Sequence, residues 1–449
     1  MDKRFRTYDP GQPYLLPPSP RDWIPEDHLV HFIADVVKQL DLSGIYGRYA
    51  AAGQPAYHPM MMTAVWLYAF SQGIRSSRRI ERALHEDIGF RLLSGDQQPD
   101  FWTLNQFRKR HRSALAGIFK QTVHLAQKLG FVKLGHVAID GTKLKGNASK
   151  HAAMSYGRMV EAEAKLVEQL NAYFREADEV DDGEDKKFGK GKRGDELPED
   201  LQHAAKRLRA IQKAKKELEE EAVERAKADQ QKRREVAEAE GRDYKPRLNP
   251  EEAKPDPKAQ RNFTDPESRI MRNSEKAFCQ GYNGQTAVDA GSHIIVAADL
   301  TNSSADCPHF ESMIGQVISN CGDAPDQVSA DAGYFSEANL DVCKKHDIEA
   351  FIPPGRVEHS VWRSQQSPRG RIPKDASTAY LMKRKLSTKR GREIYKLRHV
   401  TAEPVFGHIK SVRGLQQFLH RGLEKVRDYW LLDCAVQNML RLFRLGAKI

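Results

Sequence analysis

Between residues 155 and 245 the chain carries almost no strand-forming residues. The segments Met159–Ala177 and Pro198–Arg242 are rich in Ala, Glu, Lys, Leu and Arg, which lose little on entering a helix. Leu201, Leu208, Lys215 and Ala222 recur every seven residues, with Ile211 and Leu218 as a second row. Val160, Val167, Leu170 and Phe174 supply a facing set. The pattern predicts an antiparallel helical hairpin. Its tip, EVDDGEDKKFGKGKRGDELPED, is charged and glycine-rich and is expected to be mobile. At about 1.5 Å per residue the longer arm reaches roughly 60 Å. A hairpin of that length loops out of any sheet, so strands before and after it can belong to one sheet.

Two strand ends fit that arrangement. Val137, Ala138 and Ile139 form an apolar run that ends at Asp140, where Gly141 allows a sharp turn, and Lys143 and Lys145 follow. Gln327–Asp331 is a second such strand, followed by Ala332, Gly333 and Tyr334. Taken alone, either aspartate also suits a turn cap. Together they suit a divalent metal facing a phosphate. Carboxylates held a few ångströms apart repel each other, and cations remove that cost. Around them the chain reads as strands at Gln285–Val288 and His293–Leu300, a helix at Pro308–Ile318, a helix at Glu337–His346, a strand at Ile348–Ile352, and mostly helix from Thr378 to Ile449. This order suits a mixed sheet flanked by helices.

The N-terminal part reads differently. Prolines break the first 25 residues. Leu29, Phe32, Ile33, Val36, Val37 and Leu40 then repeat at three and four, Pro59 opens a nearly all-apolar helix to Phe70, and Ser76 or Ser77 can cap a helix carrying Ile80 and Leu84. Arg75, Arg78, Arg79 and Arg82 crowd the start of that helix, and Arg108 and Arg110 sit on another that begins at Thr103. Short helices with arginines at a helix start suit DNA contact. An ordinary helical domain with a solvated basic face is the plainer alternative.

Composition narrows the partners. The 449 residues carry a formal net charge of +11, which favours a polyanion. The start is polar and no apolar run is long enough to span a bilayer. The five cysteines lack CxxC spacing, so reduced thiols in a cytoplasmic protein are expected. Nucleic acid is therefore preferred to a membrane.

A third carboxylate is needed to complete a two-metal site. The candidate is Glu403 in YKLRHVTAEPVFGHIKSVRG, on a helix with Val405, Ile409 and Val412 to bury it and Lys410 two turns on. Asp289, Asp299, Asp306 and Glu393 read as structural acids. At this point the chain resembles the bacterial insertion-sequence transposases with an Asp-Asp-Glu catalytic triad, in the group with an N-terminal helical domain and a helical insertion in the catalytic domain. The likeness lies in IRSSRRIERALHEDIGFRLLSG, VAIDGTKLKGNAS, GYNGQTAVDAGSHIIVAADLTN, VSADAGYFS and EPVFGHIKSVRGLQQFLHRGLEKVRDYW.

The resemblance implies an α+β protein: a helical DNA-binding domain at 1–130, and a ribonuclease-H-like catalytic domain at 131–154 and 262–449, interrupted by a helical hairpin and linker at 155–261. Asp140, Asp331 and Glu403 would hold two Mg²⁺ ions, with Mn²⁺ able to substitute. Lys143, Lys145, Tyr395, Arg398 and Lys410 would contact DNA, as would Arg75, Arg78, Arg79, Arg108 and Arg110. The family's Tyr-Arg-Glu-Lys signature maps to Tyr395, Arg398, Glu403 and Lys410. Four residues separate Arg398 from Glu403 where the common form has three, which a helix bulge or break near Pro404 can absorb. The implied reaction is cleavage at terminal inverted repeats of double-stranded DNA and joining of the 3′-hydroxyl to target DNA, by a dimer at the nucleoid. The alternatives are a metal-dependent nuclease of the same fold without strand transfer, and a domesticated DNA-binding protein.

Overall fold

The computed structural model describes residues 19–49, 55–149, 152–188, 199–246, 249–272, 277–355, 367–373 and 375–449, without the side chains of 173–188 and 199–202. The proline-broken start up to residue 18, the 189–198 part of the expected tip and residues 356–366 of the polar loop lie outside the described residues.

Among the described residues a 3-10 turn at Pro20–Trp23 is followed by seven α-helices. They are α1 (Leu29–Gln39), α2 (Ser43–Tyr46), α3 (Pro59–Ser71), α4 (Ser77–Glu86), α5 (Ile88–Ser94), α6 (Phe101–Arg110) and α7 (Arg112–Lys128). In α1 the three-and-four spacing buries Val30, Ile33, Val36 and Val37. Pro59 occupies the first turn of α3, whose side chains are buried almost all round. The helix expected from Thr103 starts at Phe101, because Asp100 caps it by accepting the Thr103 N–H at 2.6 Å.

The sheet has six strands: β1 (His136–Lys145), β4 (Arg269–Arg272), β5 (Phe278–Asp289), β6 (Ile295–Thr301), β7 (Gln327–Ala330) and β8 (Glu349–Phe351). β5 runs antiparallel to β1, and its other edge holds β4 and β6. On the far side of β1, strands β7 and β8 run parallel. The short strands β2 (Ala153–Ser155) and β3 (Gln260–Asn262) pair separately.

Two strands are longer than their sequences predict. β1 does not turn at Gly141 but continues to Lys145, because Thr142 and Leu144 are buried on alternate positions. β5 begins at Phe278, seven residues before the start expected at Gln285. Gly281 lies opposite Lys145, and a Cβ there would collide with the Leu144 carbonyl oxygen. Gly281→Ala is therefore expected to destabilise the fold by at least about 2 kcal/mol, seen as a lower thermal midpoint. An unchanged midpoint would show that the two strands can separate at that point.

Helices α8 (Tyr156–Phe188) and α9 (Glu199–Ala239) lie side by side, with Tyr156 bonded to Glu219 and Lys215 to Glu163. Their contact is built by Met159, Ile211, Ala214 and Leu218, with Ala162 and Leu166 against them. Val160 and Val167, expected to face α9, are 42% and 36% exposed. The apolar stripe on α8 is Met159-Ala162-Leu166, one residue away from the expected row. Helix α8 also runs through Phe188 into the stretch expected to be a loose tip.

Helices α10 (Phe310–Cys321), α11 (Glu337–Lys345), α12 (Thr378–Ser387), α13 (Lys389–Gly407) and α14 (Leu423–Arg444) complete the fold. A single apolar core runs from Val30 in α1 through the sheet to Leu442 in α14. Asn438 of α14 ties three elements: its Oδ1 accepts the Ile295 N–H at 2.8 Å, and its Nδ2 donates to Ile295 O and to Thr122 Oγ1 of α7.

At the sheet edge, Glu349 of β8 takes a two-pronged contact from Arg390 at 2.6 Å and one from Lys385 at 3.2 Å. The hydrogen bonds from Arg390 hold its carboxyl at a pKa of about 2. That stabilisation is present above the ordinary glutamate pKa near 4.5 and is lost as the pH falls towards about 2. Glu349→Gln should thus be less stable at neutral pH by about 1 kcal/mol, with the gap closing in acid. A pH-independent gap would assign the loss to packing.

Candidate active site

The register of the parallel pair places the two aspartates. Ile139 of β1 pairs with Ala330 of β7, the last pair between those strands. Asp140 and Asp331 come next on each chain, and neighbouring strands lie about 4.8 Å apart. The two aspartates are thus brought to neighbouring strand ends although a long insertion separates them in sequence.

Asp140 is largely buried. Its Oδ1 accepts the Gly141 N–H at 2.9 Å, and its Oδ2 is paired with Arg398 Nη1 at 2.9 Å. Burial pushes its pKa up to about 6; Arg398 opposes that, and the charges of Asp331 and Asp306 add to it. Asp331 caps the turn Ala332–Tyr334, its Oδ1 accepting the Gly333 N–H at 2.8 Å.

Asp306, which reads from sequence as a structural acid, stands in this cluster. Its Oδ1 accepts from Lys143 Nζ at 2.9 Å, Asn283 Nδ2 at 2.7 Å and Gln285 Nε2 at 2.8 Å. Its Oδ2 faces Gly333, beside Asp331. Sequence reasoning missed it for want of the register. The available signal was the alternation of Asn283 and Gln285 along a strand buried on both faces, since buried amides need partners. Gly141 leaves the room: a Cβ there would sit 2.7 Å from Gln285 Nε2 and 2.8 Å from Asp306 Oδ1. Tyr334 is fully buried and bonded to Gln285; burial, then Asp306, Asp140 and Asp331, push its pKa well above the usual value, so it stays protonated. Asp289 does hold structure, accepting the Leu134 and Ser292 N–H groups.

Helix α13 crosses the sheet over these acids. Its inner face carries Arg398, Thr401, Ala402 and Val405. Tyr395 sits beside Arg398, the guanidinium 5.9 Å from its ring centroid. The helix continues unbroken through Pro404, and the wide turn comes later, as a π segment at His408–Val412. Glu403 is therefore turned out from the inner face. Its side chain is 59% exposed and bonded to His399 Nδ1 at 2.6 Å, yet its charge still reaches Arg398. Lys410, in the π segment, donates to Thr142 Oγ1 at 3.1 Å. Lys145 is exposed at the end of β1.

The N-terminal arginines divide. Arg75 is 8% exposed and paired with Asp433 at 2.8 Å, so it lies in the core and cannot meet a duplex. Arg108 is half-buried, its guanidinium 4.7 Å from the centroid of the Trp66 ring and 5.8 Å from that of Tyr429. Both are drawn inward because aromatic rings and a carboxylate from α3 and α14 offer partners that water would otherwise replace. Arg78, Arg79 and Arg110 are exposed, Arg78 over the Phe101 ring at 4.9 Å.

A mixed sheet with paired aspartates on parallel strands, crossed by a helix bearing arginine and glutamate, suits an enzyme that acts on phosphodiesters. Residues 18–110 match the family model described as Transposase domain (DUF772), and residues 256–439 match the one described as Transposase DDE domain. The chain belongs to the DDE transposases of insertion sequences. No curated protein matches it, and no solved structure does. Asp331 and Glu403 fall inside the matched DDE segment, and Asp140 lies between the two matches. No helix among the described residues is long and apolar enough to cross a membrane.

The family works with divalent metal. The donors fit a hard cation in kind, because Asp140, Asp331 and Asp306 offer oxygen only and repel one another. Among the described residues no three His, Cys, Asp or Glu side chains are gathered closely enough to hold an ion.

Proposed function

We propose that this transposase cuts DNA at the terminal inverted repeats of its element and joins the freed 3′-hydroxyl to target DNA. The reading rests on one observation: Asp140 and Asp331 follow the last register pair of two parallel strands. Asp140, Asp331 and Glu403 would hold two Mg²⁺ ions, or Mn²⁺ in their place. Such ions supply the activation of the attacking oxygen and the charge stabilisation that phosphoryl transfer needs.

The protein's own groups do the rest. Arg398 lies on Asp140 and offsets its charge. Asp306 fixes Lys143 beside the pair, and Thr142 fixes Lys410 on the other side; with Lys145 these cations would hold the phosphate backbone. Each step exchanges one phosphodiester bond for another bond to phosphorus, so no covalent enzyme intermediate is needed. Residues 1–130 would bring DNA-binding surface through Arg78, Arg79 and Arg110, and two copies would hold the two ends. The test is incubation of the full protein with Mg²⁺ and DNA carrying the flanking repeats, followed by mapping of strand ends. Joined products support transposition; nicks that never join would leave a nuclease.

A further inference from the structure

Beside the sheet lies a cavity of about 910 Å³ between α6, α7, the loop before α14 and the first half of α14. Its lining includes five cations, Arg108, Lys109, Arg112, Arg421 and Lys425, against one carboxylate, Asp428. Arg112 is partly neutralised by Asp428 at 2.5 Å and Glu424 at 2.6 Å. Lys109, Arg421 and Lys425 are exposed. His420 stands in the wall. Burial, then Arg108, Lys425, Arg112 and Lys109, push its pKa down to about 4, and its buried Nδ1 has no hydrogen-bond partner among the described residues. An open concavity with this excess of positive charge is stabilised by an anion.

The cavity is joined to the catalytic strand. Asn147 lines it, and its backbone oxygen accepts from Arg421 Nε at 3.0 Å while its Nδ2 donates to Leu419 O at 2.9 Å. Phe418 N–H donates to Lys145 O at 2.9 Å, so the loop is stitched along the end of β1. Asn147 is seven residues beyond Asp140. At about 3.3 Å per residue the gap is at most roughly 23 Å, or about seven base pairs at 3.4 Å each.

We propose that this cavity grips the phosphate backbone of duplex DNA within about seven base pairs of the bond cut at Asp140 and Asp331. The distance rests on the proposed catalytic reading; the binding does not.

The test uses the full-length protein, a chelator and a labelled random-sequence duplex, because backbone contacts are indifferent to sequence. The double variant Arg421→Gln/Lys425→Gln should bind roughly tenfold or more weakly, with the slope of log K against log salt reduced by about 2. A control, Lys120→Gln/Lys128→Gln, removes the same charge from the exposed face of α7 away from the cavity and should change both far less. Equal losses in the two double variants, or no loss in the first, would overturn the proposal. So would inorganic phosphate binding that the first variant abolishes while duplex affinity stays unchanged. Since no cleavage is measured, failure of the catalytic reading would show separately.

Discussion

Asp433→Asn is expected to cost about 3–5 kcal/mol of stability. Asp433 is fully buried in α14 and holds two arginines. Arg75 reaches it at 2.8 Å from the N-terminal helices, and Arg413 at 2.8 Å from the segment after α13. Arg413 is itself 2% exposed, and its backbone oxygen accepts from Arg75 Nη1. One carboxylate thus compensates two guanidiniums. Neutralising it leaves both buried without a counter-charge. Because the three residues come from distant parts of the chain, the first helices should loosen from α14 together. Chemical denaturation and limited proteolysis around residues 72–76 report this. A change below about 1 kcal/mol would mean that water enters and screens the arginines.

The second large effect concerns Glu403. If Glu403 is the third metal ligand proposed above, Glu403→Gln should lower cleavage at least about a hundredfold while DNA binding stays within a few-fold, because a ligand and not a phosphate contact would be lost. Glu393 and Glu424 are the other glutamates that could be proposed on the C-terminal helices. Glu424 is committed to Arg112. Glu393→Gln should leave cleavage nearly unchanged. Wild-type cleavage by Glu403→Gln would remove Glu403 from the triad and turn attention to Asp306, which already stands beside Asp331.

What the sequence discloses depends on whether the deciding contacts are local. The all-round burial of α3, the three-and-four face of α1 and the strand ending at Ala330 are written in short apolar patterns and can be read directly. The extension of β1 past Asp140 is also local: Thr142 and Leu144 alternate with Lys143 and Lys145, but Gly141 suggests a turn that the pairing with Gln285 overrides. The start of β5 is hidden because Gly281 is there for the close approach of β1 and Gly284 for that of the Trp430 ring, which are tertiary reasons. The one-residue rotation of α8 follows from packing against α9 and the β2–β3 pair, which the heptad count does not contain.

The same division runs through the site. Asp140, Asp331 and Arg398 are legible as types at strand and helix positions, and the fold gathers them. That Arg75 is a core residue is not legible, since its partner is 358 positions away. The role of Asp306 depends on Asn283 and Gln285 facing inward, which only the register of β5 on β1 determines. The four-residue gap before Glu403 leaves an unbroken helix with its carboxylate turned outward, and the widened turn falls at His408–Val412 instead of near Pro404.

The proposed function places metal-dependent phosphoryl transfer at the Asp140–Asp331 pair. Its most direct test is strand-end mapping on DNA carrying the element's inverted repeats, with wild type and Asp331→Asn side by side, in Mg²⁺ and in chelator. Wild type should give 3′-hydroxyl ends at the repeat boundary in Mg²⁺ alone, and Asp331→Asn should give none. The same ends from Asp331→Asn, or from wild type in chelator, would contradict the proposed function.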